Sequence, residues 1–372
     1  MSAVIDLLRL LVSQPSVSGD EALCRDALAN WLDVHGIPAT IHGRNVLACI
    51  EGTAPSAEGA ERGLLLCSHI DVVPVGEGWS RDPWDGALQD GLVFGRGAND
   101  AKSSVAAMAV AAAQLHPSRF SGRLVLAFVC DEETGGEGIE ACLHDLPKFD
   151  AAVVGEPTGL DVCPGQRGLL RAKVVATGRA CHASRPWEGV NAVELSARDV
   201  LAVQQLQLPG ADTLLGPPTL QATVIAGGTR PNVLPGECSF EIDGRPTPGC
   251  DNERLLALLC SAVHGDVVVR SNRYLPVRTA DDAEIVTTAA AASPTGVVRG
   301  FGGVSDMFHL GDIPAVVMGP GTSAASHAPD EWVAVSQVEA AAEAYAKIAE
   351  NYLAAQRDDR SAPSAASEES AS

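Results

Sequence analysis

The sequence predicts an α/β protein: a largely parallel sheet covered by helices, with a ferredoxin-like α+β unit inserted into it. Three observations carry this. Residues 63–160 alternate continuous apolar runs of strand length with helical segments, the pattern of a sheet buried on both faces. From Arg167 the order changes to β-α-β-β-α-β, a ferredoxin-like succession. The chain has 372 residues, more than one hydrophobic core usually serves, so two domains are expected.

Taken in order, the first thirty residues read as helical, with Leu7, Leu8, Leu10 and Leu11 along one side and a break at Pro15. "GLLLCSHI" (63–70) is a strand, and the alanine-rich "AKSSVAAMAVAAAQLH" (101–116) is a helix. "GRLVLAFVC" (122–130) is a second strand, "IEACLHDL" a short helix and "FDAAVVGE" (149–156) a third strand. The inserted unit runs strand "LLRAKVVATG", helix "NAVELSARDVLAVQQL", strands "TLQATVIAGG" and "GECSFEIDGR", helix "NERLLALLCSAV" and strand "DVVVRS". After it, "AEIVTTAAAA", "PAVVMGPG" and "SQVEAAAEAYAKIAENYLAAQ" resume the α/β style. The expected divisions are 1–166 and 273–355 for the two halves of the larger domain, 167–272 for the insertion, and 356–372 for a polar, low-complexity, disordered tail.

Composition narrows the function. Twenty-six basic and 47 acidic residues give a net charge of −21, which argues against nucleic acid and anionic membrane surfaces as partners. No apolar run is long enough to cross a bilayer. The start has no basic leader or export cleavage pattern, so a cytoplasmic location is expected. Ten cysteines without a CxxC pair, several of them (Cys49, Cys67, Cys130, Cys260) in apolar runs, read as small core residues rather than a disulfide framework.

In a parallel α/β sheet, ligands gather outside the carboxyl ends of the strands. The polar residues that follow each strand are therefore the candidates. "LLLCS" leads to His69 and Asp71, "LVLAFVC" to Asp131, Glu132 and Glu133, "AAVVG" to Glu156, and "AVVMGPGTSAAS" to His327. "GRGANDAK" (95–102) is a glycine-rich turn that places Asp100 at the start of the alanine-rich helix. Its first two glycines match a phosphate loop, but the charge of Asp100 at the third position would repel a phosphate, which removes a nucleotide-binding oxidoreductase reading. Two histidines and several carboxylates at one sheet edge suit a divalent cation of the zinc or cobalt type; magnesium prefers oxygen alone. Asp71 is placed to hold the His69 ring through its other nitrogen. Singly, each of these residues is as well explained as solvated charge or an ordinary hydrogen-bonded histidine. Together they are not.

"SHIDVVP", "GRGANDAK", "DEETGG", "GEPTG", "GRACHASRPWEGVNAV", "GGTRPNVLPGE" and "GPGTSAASHAPDEWV" resemble, in order and spacing over residues 5–355, the dinuclear zinc amidohydrolases. That family includes acetylornithine deacetylase, succinyl-diaminopimelate desuccinylase, aminoacylases and glutamate carboxypeptidases. The resemblance implies a zinc-exopeptidase-like catalytic domain with an inserted lid that dimerises. It implies two divalent metal ions, Zn²⁺ first and Co²⁺ second. Asp100 would bridge them, His69 and Glu156 would complete one site, and Glu133 and His327 the other. Glu132 would be the general base, with Asp71 beside His69. His182 would assist the oxyanion from the partner subunit. Arg245, Asn232 and Arg167 match positions that hold a substrate carboxylate.

The amide that is cut is less clearly written. Where the desuccinylase pattern reads GTSD, this chain reads "GGVSD", with Val304 in place of threonine. The negative net charge sits poorly with a dianionic substrate, and dipeptidases and carboxypeptidases of the family often carry Asp where this chain has Glu156. The expectation is deacetylation of an N-acyl amino acid such as N-acetylornithine. Desuccinylation, release of lysine or ornithine from a carrier protein, and di- or carboxypeptidase activity are the alternatives within the family. The alternative of another class is an inactive relative that serves as a binding protein.

Overall fold

The structure is a computed structural model that describes residues 2–55 and 62–354; the expected tail lies outside the described residues. Its main sheet has six strands, in the order Ala39–His42, Asn45–Glu51, Arg123–Val129, Gly63–His69, Ala151–Val154, Ala315–Val317. The last four run parallel, and the first two form an antiparallel hairpin on one edge. That hairpin was not expected, although its two-residue turn at Gly43–Arg44, with Gly43 at φ 63°, is an ordinary hairpin signal.

The continuous apolar strands are buried on both faces, as their composition requires. Leu64, Leu66, Leu124, Leu126 and Val153 pack beneath helices Ala3–Val12, Lys102–Gln114 and Val335–Tyr352. Leu65, Cys67, Val125, Ala127 and Ala152 pack on the other side against Ile139, Phe301 and Met307. The helix Lys102–Gln114 is buried all round, which is why alanine dominates it: larger side chains would not fit between the sheet and the outer helices. In the first helix Leu7, Leu8 and Leu11 are buried at helical spacing, but Leu10 is 39% exposed. The expected stripe of four leucines is one of three, because residue 10 falls about a third of a turn off the buried face. The short helix Glu137–Cys142 ends earlier than its apolar run. Cys67 and Cys130 are core residues as expected, whereas Cys49 is half-buried at the margin of the core and Cys260 is exposed on the outer side of its amphipathic helix. No disulfide is formed among the described residues.

The inserted unit is a four-stranded antiparallel sheet in the order Thr219–Gly227, Glu237–Arg245, Leu169–Thr177, Asp266–Tyr274. Helices Ala192–Gln205 and Asn252–Ala262 cover one face around Leu170, Val174, Phe240 and Leu255. Both helices begin at side-chain caps: Asn191 accepts from the Val193 N–H at 3.0 Å and Asp251 from the Arg254 N–H at 2.9 Å. The last strand continues to Tyr274, two residues past the expected end of the insertion. The chain enters and leaves this unit through a paired ribbon, Gly165–Gln166 against Val277–Arg278. Gln166 is tied to the GGVSD loop: its Oε1 accepts from the Ser305 N–H and hydroxyl, and its Nε2 donates to the Ser305 carbonyl. No helix among the described residues is long and apolar enough to cross a membrane.

Candidate metal centre and active site

The parallel strands deliver their polar ends to one edge. His69 is the last residue of its strand and is buried. Its Nδ1–H donates to the Asp71 backbone carbonyl at 2.9 Å, which fixes the tautomer and leaves Nε2 as the free ligand atom. Asp71 was expected to make this contact with its carboxylate, but that group stands 3.6 Å off. It is occupied elsewhere, accepting from the Ser18 hydroxyl at 2.7 Å and from the backbone N–H groups of Glu132 and Glu133 at 3.1 and 3.3 Å. Asp71 thus orients His69 through its main chain and the Glu132–Glu133 turn through its side chain.

The remaining predicted ligands converge on the same spot. Asp100 Oδ1 lies 3.3 Å from His69 Nε2, and Glu156 Oε1 lies 3.8 Å from it. Asp100 Oδ2 lies 3.5 Å from His327 Nε2, which is 3.0 Å from Glu133 Oε1. Each oxygen of Asp100 therefore faces a different histidine. His69, Glu132 and Glu156 offer donor atoms all within 4.8 Å of one another, and so do His69, Asp100 and Glu133. All five predicted metal ligands and Glu132 are brought together. Asp100, Glu132, Glu133, Glu156 and His327 line a cavity of about 360 Å³ with Pro157, Val304, Phe301 and Arg299, while His69 is buried and does not line it.

The electrostatics of this cluster call for a cation. Burial pushes the Glu132 carboxyl well above its ordinary range, and Asp306, Glu133 and Asp100 add to this against His69. Burial and Glu132 do the same to Glu156. Burial alone would depress the His69 imidazole, but Asp100 and Asp71 outweigh it and hold it well above its usual value. Glu133 raises His327. Like charges this close cannot all ionise without a counter-charge, and mixed imidazole and carboxylate donors fit a borderline divalent metal. A second acidic group, Glu21, Cys130 and Asp131, has similar spacing but already holds a cation: the Arg44 guanidinium donates to both carboxylates.

The turn that carries Asp100 is fixed by a residue that motif reading passed over. Glu331 is buried, and its Oε1 accepts the backbone N–H groups of Gly97, Asn99 and Asp100 at 3.1, 3.0 and 3.0 Å. Its Oε2 pairs with the buried Arg96 at 2.6 Å. The glycines of "GRGAND" are required for this backbone rather than for a phosphate. Gly97 has φ 84°, and a Cβ there would meet Val72 Cγ1 at 2.6 Å. Asn99 joins the turn to the His327 loop by donating to the Ser326 hydroxyl at 3.0 Å and accepting from the Thr322 N–H at 2.9 Å. The following Lys102 is structural: its buried ammonium donates to the Leu11 carbonyl in the last turn of the first helix and to the Gln14 carbonyl just past it. Glu331→Ala is expected to lower stability by about 3–5 kcal/mol, since it leaves Arg96 charged and three N–H groups unpaired in the interior. Denaturant unfolding would measure this, and a loss below 1 kcal/mol would contradict it.

The other predicted residues separate into two places. Arg245 ends its strand with its Nε and Nη2 on the two oxygens of Asp243, at 2.7 and 3.1 Å, and lines a cavity of about 390 Å³ that also includes Glu132, Glu133 and Val304. Arg167 donates to the Leu215 carbonyl and lines a neighbouring cavity of about 230 Å³ with Arg245, Phe301 and Gly302. His182 and Asn232 stand elsewhere. Both are exposed, on the small ribbon in which Cys181–His182 pairs with Val233–Leu234, and neither lines these cavities. The Asn232 carbonyl accepts from the Ala183 N–H at 3.0 Å, and His182 Nδ1 lies 2.8 Å from the Ser184 hydroxyl. The expected grouping of Asn232 with Arg245 and Arg167 is therefore not made within one chain; Asn232 belongs with His182.

A two-histidine, multi-carboxylate centre at the carboxyl edge of a mostly parallel sheet, facing an inserted ferredoxin-like unit, defines a metal-dependent hydrolase of amide bonds. The chain belongs to Peptidase family M20/M25/M40, whose profile matches residues 65–351. It is 28% identical to acetylornithine deacetylase of Proteus mirabilis over 95% of this chain and 97% of that protein. It is 31% identical to a probable carboxypeptidase of Aspergillus fumigatus over 97% of this chain and 88% of that protein. Among solved structures, an M20 family metallo-carboxypeptidase from Sulfolobus solfataricus superposes with a TM-score of 0.74 at 19% identity, covering 95% of this chain and 99% of that one. An aminopeptidase from Bacillus cereus does so with a TM-score of 0.76 at 19% identity, covering 94% and 97%. At that identity these two show the fold.

Proposed function

We propose that this hydrolase removes an N-acyl group, in the first place acetyl, from an amino acid. The reading rests on one observation: Glu132 stands at the floor of the cavity beside two histidines and three further carboxylates. The acetylornithine deacetylase relative supports it. A second reading, cleavage of a C-terminal residue from a peptide, is favoured by the fungal carboxypeptidase relatives at similar identity.

His69, Asp100 and Glu156 would hold one divalent cation, and Asp100, Glu133 and His327 a second, with zinc or cobalt suited to the donors. Cations held there would polarise the scissile carbonyl and acidify an attacking water. Glu132 takes the proton from that water and hands it to the departing amine, a base turned acid. Asp71 keeps Glu132 and Glu133 in place through their N–H groups. Arg245 and Arg167 border the substrate's path. His182 and Asn232 would complete the site from a second copy of the chain, His182 donating to the developing oxyanion. A homodimer is supported by apolar residues exposed on the inserted unit, among them Val224 and Ile225 on its edge strand, with Leu201 and Trp187.

The test is hydrolysis of N-acetylornithine, N-acetylcitrulline, N-acetylmethionine, N-succinyl-diaminopimelate and dipeptides with added Zn²⁺ or Co²⁺. Release of amine from an N-acetyl amino acid is the expected result. Cleavage of peptides alone would favour the second reading, and no cleavage at all would leave an inactive binding protein. Mixing His182→Ala chains with Glu132→Ala chains should restore about one subunit's worth of activity per mixed dimer, half that of the wild-type dimer, if His182 acts across the dimer. No restoration would place its action within its own chain.

A further inference from the structure

The cavity of about 390 Å³ that adjoins Glu132 is lined on its far side by the inserted sheet: Leu169, Arg171, Arg245, Ser271 and Tyr274. Its charged lining divides between the two walls. The acids are Glu132 and Glu133, both belonging to the metal centre, and the cations are Arg171 and Arg245. Arg245 already holds the Asp243 carboxylate through two hydrogen bonds. Arg171 holds nothing. It is exposed in the middle of the sheet, between Asp243 on one neighbouring strand and Ser271 on the other, and among the described residues its guanidinium has no hydrogen bond or ion pair. On the wall made by the inserted sheet, two guanidinium groups against the one carboxylate of Asp243 leave one positive charge uncompensated. The hydroxyls of Ser271 and Tyr274 on the same wall are likewise without protein partners. Other arginines nearby are committed. Arg299 donates to Asp161, Thr158 and Gly300, and Arg273 pairs with Glu140.

We infer that Arg171, with Ser271 and Tyr274, is a specificity site for a carboxylate on the substrate's side chain or acyl chain, additional to the one beside the scissile amide. This deepens the amidohydrolase reading and rests on it. The substrate class is then an N-acyl amino acid or dipeptide with an acidic substituent. A cationic side chain such as that of ornithine finds no carboxylate in this cavity outside the metal centre, and it finds a guanidinium instead. The lining weighs against the zwitterionic substrate that overall charge had favoured. A charge of −21 acts at long range and is screened by salt, whereas Arg171 acts at contact distance, where a charge-assisted hydrogen bond discriminates.

The experiment compares kcat/KM for N-acetylglutamate, N-acetylnorvaline and N-acetylornithine on the metal-loaded enzyme. Wild type should prefer the glutamate compound over norvaline by about 10- to 100-fold, mostly through KM. Arg171→Gln should collapse that ratio, and Arg171→Glu should turn preference toward N-acetylornithine. An unchanged ratio in both variants, or a wild-type preference for N-acetylornithine, overturns the inference while leaving the amidohydrolase reading intact. Cleavage of none of the three, nor of any other N-acyl amino acid or dipeptide, defeats that reading instead. The inference is then decided by calorimetry in the Glu132→Gln background: tighter binding of N-acetylglutamate than of N-acetylnorvaline sustains it, and equal affinities overturn it.

Discussion

Glu132→Gln is expected to lower kcat by about 10²- to 10⁴-fold while the protein keeps its full complement of bound metal. Glutamine preserves the size of the side chain and leaves the backbone bond to Asp71 untouched. It removes only the capacity to accept a proton and return it. That capacity is what the surroundings of Glu132 favour. Burial and the neighbouring Asp306, Glu133 and Asp100 push its carboxyl well above its ordinary range. Asp306 itself is pushed up to about 7 by burial. Steady-state kinetics paired with metal analysis would check the prediction. Turnover near wild type would remove Glu132 as the base, and loss of metal would make it a ligand instead.

Metal removal should have the other large effect, on activity and stability together. Chelation is expected to abolish turnover, and Zn²⁺ or Co²⁺ to restore it. Stability should then acquire an unusual pH dependence. In the metal-free protein, Glu132 and Glu156 titrate above their ordinary value of 4.5, and His69 and His327 above 6.5. The folded state therefore binds more protons than the unfolded state from about pH 4.5 upward, so stability falls as pH rises through the raised values. Asp71 and Asp100 are lowered below 3.8, so their contribution is present above that value and lost only in stronger acid. The metal-free protein should melt higher near pH 5 than near pH 8. The loaded protein should show the reverse, because cation binding requires neutral imidazole and ionised carboxylates and grows stronger as pH rises. Thermal melts at the two pH values, with and without chelator, would measure both. A metal-free protein that is more stable at pH 8 would contradict the account of the cluster.

Much of this site was legible because the rule that reads it is geometric. Polar residues at the carboxyl ends of parallel strands share one edge, so His69, Glu132, Glu133, Glu156 and, further past its strand, His327 could be gathered from strand pattern, and Asp100 from a glycine-rich turn. The less legible parts depended on which atom of a residue acts. Asp71 was placed correctly, but its carbonyl rather than its carboxylate meets His69, since the side chain is drawn to two N–H groups of the next strand's turn. Glu331 was missed because "PDEW" gives no sign that one carboxylate would fold back onto three amides more than 230 residues upstream. The edge hairpin 39–51 was missed because its first strand is only four residues long and half polar, and its second carries Asn45 and Glu51 at its ends around a brief apolar run. Leu10 shows the limit of hydrophobicity by itself: four leucines in five positions cannot all face one way on a helix. Arg171 reads in sequence as one more alternate position of an amphipathic strand. Only the three-dimensional lining shows that it faces the catalytic cavity with its charge unspent.

The most direct test of the central claim is a crystal structure with Zn²⁺, with anomalous scattering recorded on both sides of the zinc edge. Two anomalous peaks within the cluster are predicted, one against His69 and Glu156, one against Glu133 and His327, with Asp100 between them. A protein that takes up no zinc at this cluster, or that places it on other residues, would contradict the claim.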